Sequence, residues 1–170
     1  MKAPYTVKIL ILLHAALGLG AVFGGGSLVL DPTGQMIGLP IELMKVKLFS
    51  NFLIPGIILL VVFGIAPLVL VVELLLKRNC KLGERLNCLK PMHWSWTFSL
   101  YTAFGLIIWI MVQTYVLNAV AIVHLVYVAW ALAIQIVTLL PSVREYYEPR
   151  ANADKKLASS VGQSGHISGN

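Results

Sequence analysis

The stretch TFSLYTAFGLIIWIMVQTYVLNAVAIVHLVYVAWALAIQIVTLL, residues 97–140, holds no charged residue. A single helical crossing of a bilayer needs roughly twenty apolar residues, so this run is too long for one and suits two. The turn falls where polar residues cluster, at Gln113, Thr114, Tyr115 and Asn118. That places spans at 97–115 and 118–140, with Pro141 ending the second. Trp94 and Trp96 stand where the first begins and read as interfacial anchors. Two further apolar runs precede them, at 6–30 and 52–76. The 170 residues are 58% hydrophobic and only 12% charged, with a mean hydropathy of +0.84. Soluble domains do not have this balance, and a single bundle uses nearly all of the chain. The expectation is an all-α bundle of four transmembrane helices over 1–145. A polar tail rich in Ser and Gly follows at 146–170 and is expected to be disordered.

The net charge is +6, and its placement says more than its size. Lys2 and Lys8 precede or open the first span. Lys77, Arg78, Lys81, Arg85 and Lys90 lie between the second and third, and Arg144, Arg150, Lys155 and Lys156 follow the fourth. Only Lys45 and Lys47 fall elsewhere. This is the loop asymmetry of a positive-inside protein with both termini in the cytoplasm. Attraction to anionic headgroups accounts for cations beside a membrane, so the expected partners are membrane lipids and not nucleic acid. Cys80 and Cys88 share the inner loop, where thiols stay reduced and a structural disulfide is not expected. The first span is too long, and too lacking in a cleavage site, for a removable signal peptide.

Between the first two spans, Asp31-Pro32-Thr33-Gly34 carries turn chemistry. In 38–50, Ile41, Met44, Leu48 and Phe49 recur near helical spacing with Glu42, Lys45 and Lys47 between them. That pattern predicts a short amphipathic helix on the outer membrane surface. Pro67 lies in the middle of the second span, after Gly64, where it would leave the Phe63 carbonyl without its helical partner and kink the helix. The string Asp31-Pro32-Thr33-Gly34, Gly38-Leu39-Pro40, Phe49 and Phe52-Leu53-Ile54-Pro55-Gly56 follows a glycine-rich end of span 1. Over the first third of the chain it resembles a group of small bacterial four-span membrane proteins of uncharacterised function. The resemblance implies a bacterial inner-membrane protein and brings no activity, cofactor or catalytic residue with it. Two other small four-span classes fit poorly. Quinone-reducing oxidoreductases would need a Cys-x-x-Cys pair, and small multidrug exporters carry a glutamate in a first span that here holds His14.

The candidate site residues are polar side chains inside these spans. His124 and Gln135 are eleven residues apart, close to three turns, and share a face with Tyr127, Ala131 and Thr138 on or near it. Such a stripe is costly against lipid and must look into protein or a cavity. Gln113 and Asn118 belong near the depth of His124. Together they could cradle a polar headgroup or a quinone oxygen, or form an interhelical hydrogen-bond network. Glu73 stands four residues before Lys77, the order that favours a helical ion pair. Its other reading is a proton-exchanging carboxylate paired with His14 or Gln135. Ala16, Gly20 and Gly24, continued by Ser27, form a small-residue face suited to helix packing, within the chain or with another copy. His14 projects roughly opposite, which gives span 1 two faces that avoid lipid and argues for a homo-oligomer or a membrane complex.

No metal or cofactor is expected. One histidine makes no zinc site, and Cys80, Cys88 and His93 match no standard spacing. There is no nucleophile elbow, Walker loop, dinucleotide fingerprint or His-Glu-x-x-His. The leading expectation is an accessory or structural subunit that packs against a membrane partner or itself. The alternative is a carrier or enzyme for a lipid, quinone or other small ligand bound in the bundle.

Overall fold

The computed structural model describes residues 3–149, except 40 and 47. The expected disordered tail lies outside the described residues from 150 onward. Among the described residues, four helices are long and apolar enough to cross a membrane: Tyr5–Leu30, Leu53–Leu76, Trp94–Leu117 and Ile122–Leu139, here spans 1 to 4. Two short helices, Lys81–Arg85 and Pro141–Tyr147, lie between spans 2 and 3 and after span 4. A hydrogen bond of 2.9 Å between the hydroxyls of Thr6 and Ser142 brings the start of span 1 to the end of span 4. Both ends of the described chain therefore lie at one end of the bundle, the terminal end. The 31–52 segment and the 118–121 turn form the opposite, loop end.

Spans 1 and 2 meet through glycines. A Cβ at Gly25 would lie 2.5 Å from the Leu60 amide nitrogen and 2.9 Å from the Gly56 carbonyl oxygen. One at Gly56 would lie 2.8 Å from Leu28 Cβ, and one at Gly64 3.1 Å from the Val22 nitrogen. Lipid gives helices no hydrophobic reason to associate, so this close backbone approach supplies the dispersion contact that holds the pair. Within the chain it falls on Gly18, Gly25, Gly56 and Gly64, and not on the Ala16–Gly20–Gly24 face.

Span 2 accommodates Pro67 differently from expectation. The helix widens into a π-helical stretch, Leu59–Ile65, just ahead of the proline. The Ala66 N–H donates to the Val61 carbonyl, five residues back. The irregularity is thus absorbed in the turns before the ring, as a π-bulge does.

Trp94 and Trp96 are not interfacial anchors. They are 7% and 4% exposed, and their indole N–H groups donate to the carbonyls of Arg78 (2.9 Å) and Thr138 (2.8 Å). A protein carbonyl satisfies each indole inside the bundle, which removes the pull toward headgroup water. The ordered chain also runs past 145. Tyr147 is buried, and its hydroxyl donates to the Leu74 carbonyl at 2.8 Å.

At the loop end, the Asp31 carboxylate accepts from the amides of Thr33 (3.1 Å) and Met36 (2.8 Å). With the Thr33 hydroxyl, these bonds hold it below the usual carboxylate range. Gly34 takes a φ of +77°, and Phe52 donates its amide to the Pro32 carbonyl. The amphipathic helix expected over 38–50 is replaced by single 3-10 turns, Gln35–Ile37 and Ile41–Leu43. Gly38, at φ +69°, breaks the helical path between them. The amides of Lys45 and Val46 then both donate to the Val116 carbonyl, which ties the segment to span 3. Span 4 begins at Ile122, later than the expected 118. Asn118 turns left-handed (φ +47°) and Ala121 is extended, so helix cannot form across them.

Candidate functional site

The polar side chains of the spans fall into two groups. The first, toward the terminal end, closes on itself apart from the Gln135 Nε2, which is buried without a partner among the described residues. His14 is 0% exposed. Its Nδ1 donates to the Leu10 carbonyl (3.0 Å), which leaves Nε2 to accept from the Ser99 hydroxyl (3.2 Å). The Ser99 oxygen is also 3.0 Å from the Thr138 hydroxyl, which donates to the Ile134 carbonyl at 2.6 Å. The Trp130 indole donates to the Leu13 carbonyl at 3.1 Å. Spans 1, 3 and 4 are tied together here by hydrogen bonds whose partners are all protein groups.

Glu73 is buried and paired with the Arg78 guanidinium, one residue beyond the expected Lys77. The reason is local. Lys77 ends span 2 in a left-handed conformation, φ +49°, which swings its side chain off the helix face. Its ammonium donates to the Tyr146 carbonyl and sits 3.1 Å from the centre of the Tyr146 ring. No hydrogen bond joins Glu73 to His14 or Gln135 among the described residues.

The second group surrounds a cavity of about 210 Å³ at the loop end. Gly20 and Gly24 come from span 1, Trp109 and Gln113 from span 3, and His124 and Tyr127 from span 4. Leu39, from the segment held by the Asp31 turn, completes the wall. The sequence placed His124, Tyr127 and Gln113 together, and they do line one space. Gly20 and Gly24 line it too. A Cβ on either would sit 3.6 Å from its nearest neighbour, Tyr127 Oη or Leu59 Cδ2, so this face borders room rather than a tight helix contact. Ala16 and Gly20 are exposed on the flank of span 1, and Ser27 donates to its own Phe23 carbonyl.

The cavity is apolar apart from a few groups, whose hydrogen-bonding capacity the described protein groups meet only in part. His124 is 6% exposed and stands in the first turn of span 4. The Ala121 amide donates to its Nδ1 at 3.0 Å, closing the helix start. A nitrogen that accepts an N–H bears no hydrogen, so the ring is neutral and its hydrogen is on Nε2. Trp109 is 7% exposed and contributes its ring to the wall; its indole nitrogen is fully buried and has no partner among the described residues. The Tyr127 hydroxyl and the Gln113 carboxamide form no hydrogen bond there either. Phe63 of span 2 stacks on the Trp109 ring, with centroids 6.3 Å apart, and fixes its plane.

Sequence reasoning missed Trp109. Its signal was its position four residues before Gln113, one turn away on the same helix face. Gln135 is not at this cavity. Eleven residues along a helix separate it from His124 by roughly 16 Å, and its Nε2 is buried without a partner among the described residues. The stripe read from the sequence is therefore divided between two environments. No group of three or more His, Cys, Asp or Glu among the described residues could hold a metal, and Cys80 and Cys88 are free thiols. Among the described residues, no carboxylate, lysine or arginine lines the cavity. Its chemistry is that of a hydrogen-bonding recess within hydrocarbon. No family model, curated protein or solved structure matches the chain.

Proposed function

We propose that this chain is a multi-pass protein of a bacterial cytoplasmic membrane, with both termini cytoplasmic, that binds a lipid-soluble small molecule in the loop-end half of its bundle. Binding or carriage, rather than catalysis, is the role. The observation that carries this reading is the convergence of Gln113, His124 and Tyr127 on one apolar cavity, where the His124 Nε2–H and the Gln113 and Tyr127 polar groups form no hydrogen bond to a described protein group. A polar group set in apolar surroundings is favoured only when it is hydrogen-bonded, so a recess that keeps these together is suited to a ligand that meets them. The basic residues of the 77–93 loop support the topology by the positive-inside rule.

The test is chemical. Protein extracted with its surrounding membrane should carry a small lipophilic molecule enriched over the bulk lipid, identified by mass spectrometry of the extract. Gly24→Leu, which would place a side chain in the cavity, should lose it. Equal composition in the two extracts would end the proposal.

A second reading is supported by the flank of span 1. Ala16 and Gly20 are exposed small residues that the chain's own close packing does not use, which suits a structural subunit pressed against another copy or a membrane partner. A cross-link from position 16 to a second polypeptide in intact membranes would favour it, and labelling by lipid alone would not.

A further inference from the structure

Resting on that ligand-binding reading, we infer that the bound molecule is an uncharged amphiphile held by a carbonyl-type oxygen, with its hydrocarbon tail leaving along the Gly20–Gly24 flank. The cavity's fixed polar group is a donor. The Trp109 ring forms part of the wall, but its indole nitrogen is itself buried. His124 has its Nδ1 occupied by the Ala121 amide and so presents Nε2–H. Tyr127 and Gln113 can each add a donor of their own. A ligand that satisfies this set must bring acceptor oxygen.

The charge it carries is restricted as well. Among the described residues, no Lys or Arg lines the cavity to neutralise a carboxylate or phosphate, and no Asp or Glu lines it to hold an ammonium. A buried charge without a partner is far costlier than a buried carbonyl with hydrogen bonds. Ketones, esters and quinone rings meet both conditions; fatty acids, phosphate headgroups and alkylammonium ions do not.

Size assigns the remainder of the molecule. The cavity, about 210 Å³, falls below the roughly 300–1,000 Å³ that encloses a whole drug-sized ligand. It admits a polar end and a few carbons. The rest has a path where Gly20 is exposed and Gly24 half-buried on the lipid-facing flank, continued by exposed Ala16.

The indoles allow a direct test on the full chain in lipid nanodiscs, with ¹⁵N-labelled tryptophan. The indoles of Trp94, Trp96 and Trp130 already donate to protein carbonyls, whereas that of Trp109 does not. Trp109→Phe assigns its signal. Because the Trp109 ring lines the cavity, titration with 2-tridecanone should shift its indole signal saturably, with the other three still. His124→Phe should weaken that response about fivefold, the worth of one hydrogen bond. Tridecane should leave the signal in place. If tridecane moved it as far as the ketone, the cavity would bind hydrocarbon and the acceptor assignment would fail while the binding reading stood. A stronger response to tridecanoate or to a long-chain alkylammonium would overturn the neutral class. If no probe moved it, none would have entered the cavity, and the inference and the reading beneath it would fall together.

Discussion

The two ends of this bundle treat the same kind of residue in opposite ways. Toward the terminal end, His14 is surrounded by Leu10, Ser99 and, through Ser99, Thr138, and its ring nitrogens both have protein partners. Toward the loop end, His124 uses one nitrogen to close its own helix and presents the other beside a cavity with Trp109, Gln113 and Tyr127. Both histidines are more than nine-tenths buried in apolar helices. What separates them is where their hydrogen bonds end. A polar group whose partners are all internal fixes helix positions, and one that lacks a partner and borders open space is available to a ligand; Gln135, buried without a partner and away from the cavity, is neither. Burial alone, or the presence of histidine alone, would not have told them apart.

The sharpest way to break this comparison uses two adjacent glycines of span 1. Gly25 is pressed on the backbone of span 2, and Gly24 borders the cavity. Gly25→Ala should destabilise the bundle by about 3 kcal/mol, because backbone cannot yield as a side-chain tip can. Gly24→Ala should stay within about 0.5 kcal/mol. Thermal unfolding of both in one detergent decides it, and equal losses would mean that the loop-end half is packed as tightly as the rest.

Next in size is the contrast between hydroxyl and carboxamide. Ser99→Ala removes the donor to His14 Nε2 and leaves that nitrogen buried, which should cost about 1–2 kcal/mol. Gln113→Leu removes a group with no hydrogen bond among the described residues and should leave stability within about 0.5 kcal/mol while lowering ligand retention. A loss from Gln113→Leu as large as that from Ser99→Ala would show that the cavity's polar groups serve the fold.

Hydropathy made the four helices legible, because long uncharged runs leave the chain no other solution in a bilayer. It also brought His124, Gln113 and Tyr127 together, since depth along a span follows from counting residues. Contact identity was not legible. Span 1 contains small residues spaced by four at Ala16, Gly20 and Gly24, and by seven at Gly18 and Gly25. Both rows satisfy a packing motif, and only the position of span 2 selects the second. Likewise nothing in Glu73-x-x-x-Lys77 announces that Lys77 adopts a left-handed conformation and leaves Arg78 to pair. Trp94 and Trp96 resembled anchors because sequence gives their depth and not the carbonyls of Arg78 and Thr138 that hold them inside.

That reassigned ion pair gives a smaller prediction. Glu73 is buried, but Arg78 is 60% exposed, so water screens much of the attraction. Glu73→Gln should cost less than about 1 kcal/mol. Arg78→Ala should cost more, since it would leave the carboxylate buried without its guanidinium. The order of the two losses, read from thermal unfolding, tests whether Arg78 is the partner that matters. If Glu73→Gln cost more than Arg78→Ala, the guanidinium would not be the partner that holds the carboxylate.

The smallest effect is a pH dependence just outside span 3. His93 caps that helix, with its Nδ1 3.3 Å from the Ser95 amide and 2.8 Å from the Ser95 hydroxyl. Burial lowers its pKa from the ordinary value of 6.5, more than the opposing field of Glu84 raises it. The folded state therefore prefers the neutral ring, and the unfolded chain takes up the proton first. The contribution of His93 to stability is complete above about pH 6.5 and is lost as the pH falls below that value toward the lowered folded pKa. Protonation also abolishes the cap, because Nδ1 can then no longer accept the Ser95 amide. His93→Asn keeps a side-chain acceptor at the helix start without a proton to gain. The difference in unfolding temperature between the two proteins should favour the native chain near pH 8 and narrow on acidification to pH 5. A gap that held constant across that range would show that the ring at the terminal end is no more shielded from water than a free one.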